Sequence, residues 1–226
     1  MTSENRTPPP LGRIDLGEVP YERAMADMDE WVRQRREREA GDRLFLLGHP
    51  PVVTYGRATS PEHFAALFPG IPAVPTDRGG LATYHGPGQL VGYLVLGLRD
   101  RGPGDIVRWL ELGLIAALAD LGLTAVRRDT PRGATSLVGV WTPDHRKIAS
   151  IGMRVRGTIT SHGFALNIDP DMSVYDTFTA CGLRDVEMTS VRLLAAEQGV
   201  RMPSEAEIRD AVAGRLGAVP GRPSTC

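Results

Sequence analysis

The sequence predicts a mixed α/β domain, α+β in arrangement, with a mixed central β-sheet flanked by helices. Two segments, Tyr21–Ala40 and Asp105–Leu121, carry apolar residues at helical spacing, and short β-type runs lie between and after them. The run Leu90–Leu98 is apolar with little alternation, the pattern of a strand covered on both faces. The chain has 226 residues, a routine length for one domain, and shows no internal repeat or linker. A single domain is therefore expected over residues 13–217. A disordered lead is expected over residues 1–12 and a flexible tail over residues 218–226.

The elements follow in order. In Tyr21–Ala40, Tyr21, Ala24, Met25, Met28, Trp31 and Val32 fall at the i, i+3, i+4, i+7 positions of one helical face, with Pro20 before them and Gly41 after. Leu44–Leu47 and Val52–Tyr55 are short β-type runs split by His49-Pro50-Pro51, and Pro61–Leu67 reads as a short helix. Asp105–Leu121 places Ile106, Leu110, Leu114, Leu118 and Leu121 on one stripe. Thr124–Arg128, Val138–Trp141, Lys147–Val155 and Thr158–Ile168 read as strands, the last two joined by a tight turn at Arg156-Gly157. Val191–Gln198 is expected to be helical. Ser204–Leu216 closes the series, with Ser204 and Glu207 in capping-box spacing.

Composition excludes several classes of function. The chain has 26 basic and 27 acidic residues, which argues against nucleic acid as the main partner, since such proteins carry a basic excess. Its two cysteines, Cys181 and Cys226, cannot build a disulfide framework for this length, so a reduced, cytoplasmic setting is expected. No apolar run reaches the ~18 residues of a membrane span, and the first residues lack the apolar core of a signal peptide.

The most informative stretch is RGGLATYHGPGQ, Arg78–Gln89, with four glycines, a proline and a histidine in twelve residues. Such a loop lets main chain approach a ligand, because glycine lacks a Cβ. Arg78 adds a fixed charge, and Tyr84 and His85 add polar tips on flat rings. Cys181, in FTACGL, reads either as a small buried hydrophobe or as a nucleophile, which needs a base or cation nearby. Lys147, entering KIASIGMRV, reads either as a strand-edge charge or as a base at an apolar mouth, where burial favours a neutral amine. His85 and His162 lie in glycine-flanked contexts, open to structural or functional roles. Neither a metal-ligand motif nor a phosphate-cradling GxxxxGK[ST] is present, so no metal and no cofactor is expected. Asp169 and Asp171 read as turn residues.

Taken in order, LLGHPPVVTYGR, RGGLATYHGPGQLVGY, RKIASIGMRV with TSHGFALNI, and ACGL followed by MTS resemble the lipoyl(octanoyl) transferase family, which shares the lipoate and biotin protein ligase fold. The likeness spans about Leu44–Leu194. Two departures are visible. Ala180 stands where the family commonly has proline, and Arg127–Val140 is longer than is typical. The resemblance implies a biotin/lipoate protein ligase-like domain that moves an octanoyl group from octanoyl-acyl carrier protein to a lysine of a lipoyl domain. The acceptors implied are 2-oxoacid dehydrogenase complexes and the glycine cleavage H protein.

By the same resemblance Cys181 is the nucleophile and Lys147 its acid/base partner. The acyl site is implied to be lined by Arg78, Gly79, Gly80, Leu81, Ala82, Thr83, Tyr84 and His85, by Ser150, Ile151 and Gly152, and by Gly163, Phe164 and Ala165. Rival readings are an ATP-dependent ligase on the same fold, which needs no cysteine, a non-catalytic acyl-carrier binding module, and a cysteine hydrolase releasing free acid.

Overall fold

The computed structural model describes residues 11–56, 70–79, 82–176 and 186–220. The strands are β1 (Leu11–Glu18), β2 (Arg43–Gly48), β3 (Val52–Tyr55), β4 (Ala73–Pro75), β5 (Thr83–His85), β6 (Gln89–Val95), β7 (Gly139–Trp141), β8 (Lys147–Arg156), β9 (Ile159–Asn167) and β10 (Ala218–Pro220). The helices are α1 (Tyr21–Arg36), α2 (Pro103–Asp120), α3 (Val191–Gln198) and α4 (Glu205–Arg215), and Met172–Tyr175 forms a 3-10 turn. Among the described residues no helix is long and apolar enough to cross a membrane.

Seven strands form one mixed sheet in the order β10-β1-β2-β6-β9-β8-β7, parallel between β10, β1 and β2 and antiparallel from β2 onward. Alternation along the central strands splits their side chains between two cores. Leu44, Leu46, Leu90, Leu94 and Leu166 face the cluster built with α2, α3 and α4. Phe45, Leu47, Val91, Tyr93 and Ala165 face α1, whose Ala24, Met28 and Val32 fall one turn apart. Trp31 stacks on Phe45 with ring centroids 3.7 Å apart. This two-sided burial explains why β6 is an unbroken apolar run.

Beside the main sheet, β4-β3-β5 form a small second sheet over Val53, Tyr55, Ala82 and Tyr84. It carries the middle of the glycine-rich segment, so part of what reads as loop is strand. Other differences from the sequence reading have plain causes. Leu11 and Gly12 lie in β1 and Ala218–Pro220 forms β10, although these positions were expected in the lead and the tail; the two strands pair with each other. Such a partnership between distant segments leaves no local pattern.

Thr124–Arg128 is not a strand. Only Val126 pairs, in a single bridge to Trp141, because three-residue β7 offers too short an edge to support more. The helix expected over Tyr21–Ala40 ends at Arg36, and Arg38 already has φ of 63°. The expected helix Pro61–Leu67 lies outside the described residues.

Candidate active site

A cavity of about 340 Å³ opens where β8, β9 and β6 meet the Arg78-Gly79 segment and the first turn of α2. Its volume is at the lower end of the roughly 300–1,000 Å³ typical of small-ligand sites. Aliphatic and aromatic walls come from Val91, Ile106, Val107, Ile151, Met153 and Phe164. Arg78 and Gly79 cross the outer edge of β8, where Gly79 N–H donates to the Met153 carbonyl at 3.1 Å. The approach is close enough that a Cβ on Gly152 would lie 2.7 Å from the Gly79 carbonyl oxygen. Arg78 is held by its Nη2, which donates to the Thr54 carbonyl at 3.1 Å and to Thr54 Oγ1 at 2.8 Å.

Lys147 begins β8 and is 2 % exposed. Its Nζ lies 5.1 Å from the centroid of the Trp141 ring, and the described residues give it no carboxylate in ion-pair range. Its backbone is clamped to a later segment: Lys147 N–H donates to the Glu187 carbonyl and its own carbonyl accepts from Thr189 N–H, both at 2.9 Å. Cys181 lies outside the described residues, as do Gly80 and Leu81.

The segments on either side of residues 177–185 are both tied to Asn167 of β9. On one side, Tyr175 Oη donates to Asn167 Oδ1 at 3.1 Å, and Gln89 Nε2 donates to Asn167 Oδ1 at 3.0 Å and to Tyr175 Oη at 2.8 Å. On the other, Asn167 Nδ2 donates to the Thr189 carbonyl at 3.0 Å.

Of the residues expected at the site, Lys147, Arg78, Gly79, Thr83, His85, Ser150–Gly152 and Gly163–Ala165 all border the cavity. Ala82 and Tyr84 do not; they pack into the small core beneath β3. The run expected to line the acyl site thus divides between cavity and core at these positions, because β5 is a strand and successive residues point to opposite faces.

Several cavity residues give little sequence signal of a site. Tyr21 and Tyr93 sit within a helix face and an apolar strand. Thr135, Ser136 and Val138, from the longer Arg127–Val140 segment, border the same space. The signal available for Tyr93 was its position: a buried tyrosine needs a partner for its hydroxyl.

That partner is part of a polar cluster at one side of the cavity. His49 Nε2 and Tyr93 Oη are 2.7 Å apart, and His49 Nδ1 lies 2.6 Å from the Val19 carbonyl. The Tyr21 and His85 rings stack at 6.1 Å. His162 Nε2 meets Asp77 Oδ1 at 2.8 Å, and Asp77 also binds Arg154 and, at 2.7 Å, Arg156.

Burial holds the His49 imidazole below its ordinary range against its bond to Val19. It holds His85 well below, helped by the charges of His49 and Arg78. Burial likewise depresses His162, although Asp77 opposes it. Burial pushes the Asp77 carboxyl up, but His162 and Arg156 outweigh it and leave Asp77 below the usual carboxylate range. Burial raises the Tyr21 and Tyr93 phenols. The three imidazoles and two phenols are thus all held toward their neutral forms, beside the charges of Arg78, Asp77, Arg154 and Arg156. No group of three or more His, Cys, Asp or Glu among the described residues is placed to hold a metal ion. An apolar slot bordered by an amine and by polar donors suits an acyl chain with a reactive carbonyl.

Comparison with known proteins agrees with this architecture. Residues 20–216 match the family described as the lipoyl protein ligase A/B catalytic domain. An octanoyltransferase of Frankia casuarinae is 47 % identical over 196 residues, covering 86 % of this chain and 89 % of that protein. One of Acidothermus cellulolyticus is 44 % identical, covering 92 % of each. Among solved structures, lipoate-protein ligase A bound with ATP superposes with a TM-score of 0.71 at 19 % identity, covering 96 % of this chain and 89 % of that one. The bipartite lipoate protein ligase of Thermoplasma acidophilum gives 0.67 at 20 % identity, covering 96 % and 87 %. These structural likenesses show the fold, and the closer sequence matches show the activity class: the chain belongs to the octanoyltransferases, acyltransferases of protein lipoylation within the lipoyl protein ligase A/B catalytic-domain family.

Proposed function

We propose that this enzyme takes the octanoyl group of octanoyl-acyl carrier protein onto Cys181 and passes it to the acceptor lysine of a lipoyl domain, with Lys147 as general acid and base. The acceptors are the lipoyl domains of 2-oxoacid dehydrogenase complexes and the glycine cleavage H protein, in a cytoplasmic setting, without metal or cofactor. The observation that carries this reading is the clamp at Lys147. The backbone of this buried lysine pairs with residues 187–189, and Cys181 is six residues before Glu187 in the chain. The carbonyl that accepts from Lys147 N–H therefore belongs to the segment that leads away from the cysteine.

The reaction balances without ATP. Lys147 takes the Cys181 proton, and the thiolate attacks the thioester carbonyl of the donor. The carrier's thiol leaves with a proton, and one thioester has replaced another. The incoming lysine amine then gives its proton to Lys147 and attacks the acyl-enzyme, and the Cys181 sulfur departs as an amide forms. Backbone N–H groups of the glycine-bearing segments are suited to hold the transient oxyanion. Arg78, Gly79, Thr83 and His85, together with Ser150–Ile151–Gly152 and Gly163–Phe164–Ala165, border the acyl slot. An ATP-bound ligase shares the fold at 19 % identity, but the near relatives are octanoyltransferases.

The test is transfer from octanoyl-carrier protein to a lipoyl domain, followed by intact-mass spectrometry of the enzyme. Cys181→Ser is expected to abolish transfer and the octanoyl adduct. Lys147→Ala is expected to lower kcat by about 100- to 10,000-fold, the usual span for general acid–base catalysis. Near-normal turnover in either variant, or ATP-dependent attachment of free octanoate by the wild type, would overturn the proposal.

A further inference from the structure

Glu111 breaks the pattern of its helix. It lies on the inner face of α2 between Leu110 and Leu114 and is 3 % exposed, where an apolar side chain would pack. A carboxyl buried there is unfavourable unless it does something an apolar residue cannot. Burial raises its pKa, against the hydrogen bond from Gly139 and the charges of Arg127 and Arg108. Its hydrogen bond among the described residues is to main chain: Glu111 Oε1 accepts from Gly139 N–H at 3.0 Å.

Gly139 opens β7, pairs with Ser150 of β8 and has φ of 141°, a conformation that side-chain-bearing residues rarely adopt. A Cβ on Gly139 would lie 2.7 Å from Lys147 Cε and 3.3 Å from its Nζ. The alkyl chain of Lys147 therefore lies directly over the Gly139 backbone. The lysine also meets the Trp141 ring, which carries the Arg128 guanidinium 4.8 Å from its centroid. Since the described residues supply Nζ with no carboxylate, packing against Gly139 and Trp141 is what sets its direction.

We propose that Glu111 is a positioning residue for Lys147, gripping the Gly139 N–H and so fixing the backbone on which the lysine side chain rests. The proposal rests on the reading of Lys147 as the acid/base of octanoyl transfer. Glu111 itself is no catalytic group. It acts through Gly139, and loosening that contact lets Nζ drift from the position proton transfer needs. A displacement of about 1 Å at a reacting group lowers rates by as much as about 100-fold.

The experiment measures steady-state octanoyl transfer by the full-length enzyme as wild type, Glu111→Ala, Glu111→Gln, Glu111→Asp and Lys147→Ala, with melting temperatures alongside. Glu111→Ala is expected to lose about 10- to 100-fold in kcat, with KM for donor and acceptor within about two-fold. Glu111→Gln keeps an acceptor oxygen for Gly139 and is expected to recover to within about three-fold of wild type. Glu111→Asp keeps a carboxyl but falls one methylene short, and its kcat is expected to drop; it carries the test should Glu111→Ala fail to fold.

Wild-type kcat in Glu111→Ala or Glu111→Asp, or a folded Glu111→Gln as impaired as Glu111→Ala, overturns the inference. An inactive Lys147→Ala beside a fully active Glu111→Ala overturns it alone. An active Lys147→Ala removes the reading beneath it.

Discussion

Gly152 shows how much a single missing side chain decides. Its neighbour across the gap is the Gly79 carbonyl, and the atom a Cβ would meet at 2.7 Å is backbone, which cannot swing aside. Gly152→Ala is expected to push Arg78-Gly79 off the edge of β8, at a cost of about 1–3 kcal/mol in stability, the usual price of overpacking. It is also expected to lower kcat/KM for transfer. Urea titration and initial rates check both, and an unchanged variant would mean the loop is not held there.

At this scale the sequence was partly legible. RGG and KIAS-I-G mark both halves of the contact, but nothing in them says that the two lie against each other. Nor does the run LATYH reveal that Thr83 and His85 turn toward the cavity while Tyr84 turns into the small core. That depends on β5 pairing with β3, some thirty residues earlier.

Elements whose signals are local were legible nearly to the residue. The helix at Val191–Gln198 matches its expected bounds, with Ser190 Oγ accepting from Leu193 N–H at 3.3 Å. The capping box of α4 is formed as its spacing implies: Ser204 Oγ accepts from Glu207 N–H at 3.3 Å, and Glu207 Oε2 accepts from Ser204 N–H at 2.7 Å. Ser204→Ala is expected to lower stability by about 1 kcal/mol, as cap removal usually does. Transfer activity should stay unchanged, since no residue of α4 borders the cavity. Thermal melts paired with activity assays decide it, and a loss of activity at full stability would count against this separation.

Elements made by distant partners were not legible. β1 exists because β2 and β10 flank it, and its LGRIDLGE alternates too weakly to announce a strand. Thr124–Arg128 has the opposite history, with β propensity but no partner of matching length.

For the molecule as a whole, the buried histidines set an acid limit. His49, His85 and His162 all have folded-state pKa values below the ordinary 6.5, chiefly through burial. Below about pH 6.5 the unfolded chain therefore binds protons that the folded chain refuses, so acid favours unfolding. Their contribution is full above that pH and is lost as the pH falls. Asp77, also depressed, adds a further loss only below its ordinary 3.8. The melting temperature is expected to be level from pH 8 to 7 and to fall steadily from 6.5 to 5. A flat profile down to pH 5 would show that these rings are not neutral and buried together.

Strand β8 links two parts of the cavity wall. Lys147 starts it, and Met153, which anchors Gly79, lies six positions along the same ribbon. At about 3.3 Å per residue the two sit roughly 20 Å apart, a spacing written into covalent geometry rather than into side-chain packing. The strand works as a ruler laid beside the cavity: repacking the surrounding helices can widen or narrow the channel, while its graduations stay where the peptide bonds put them.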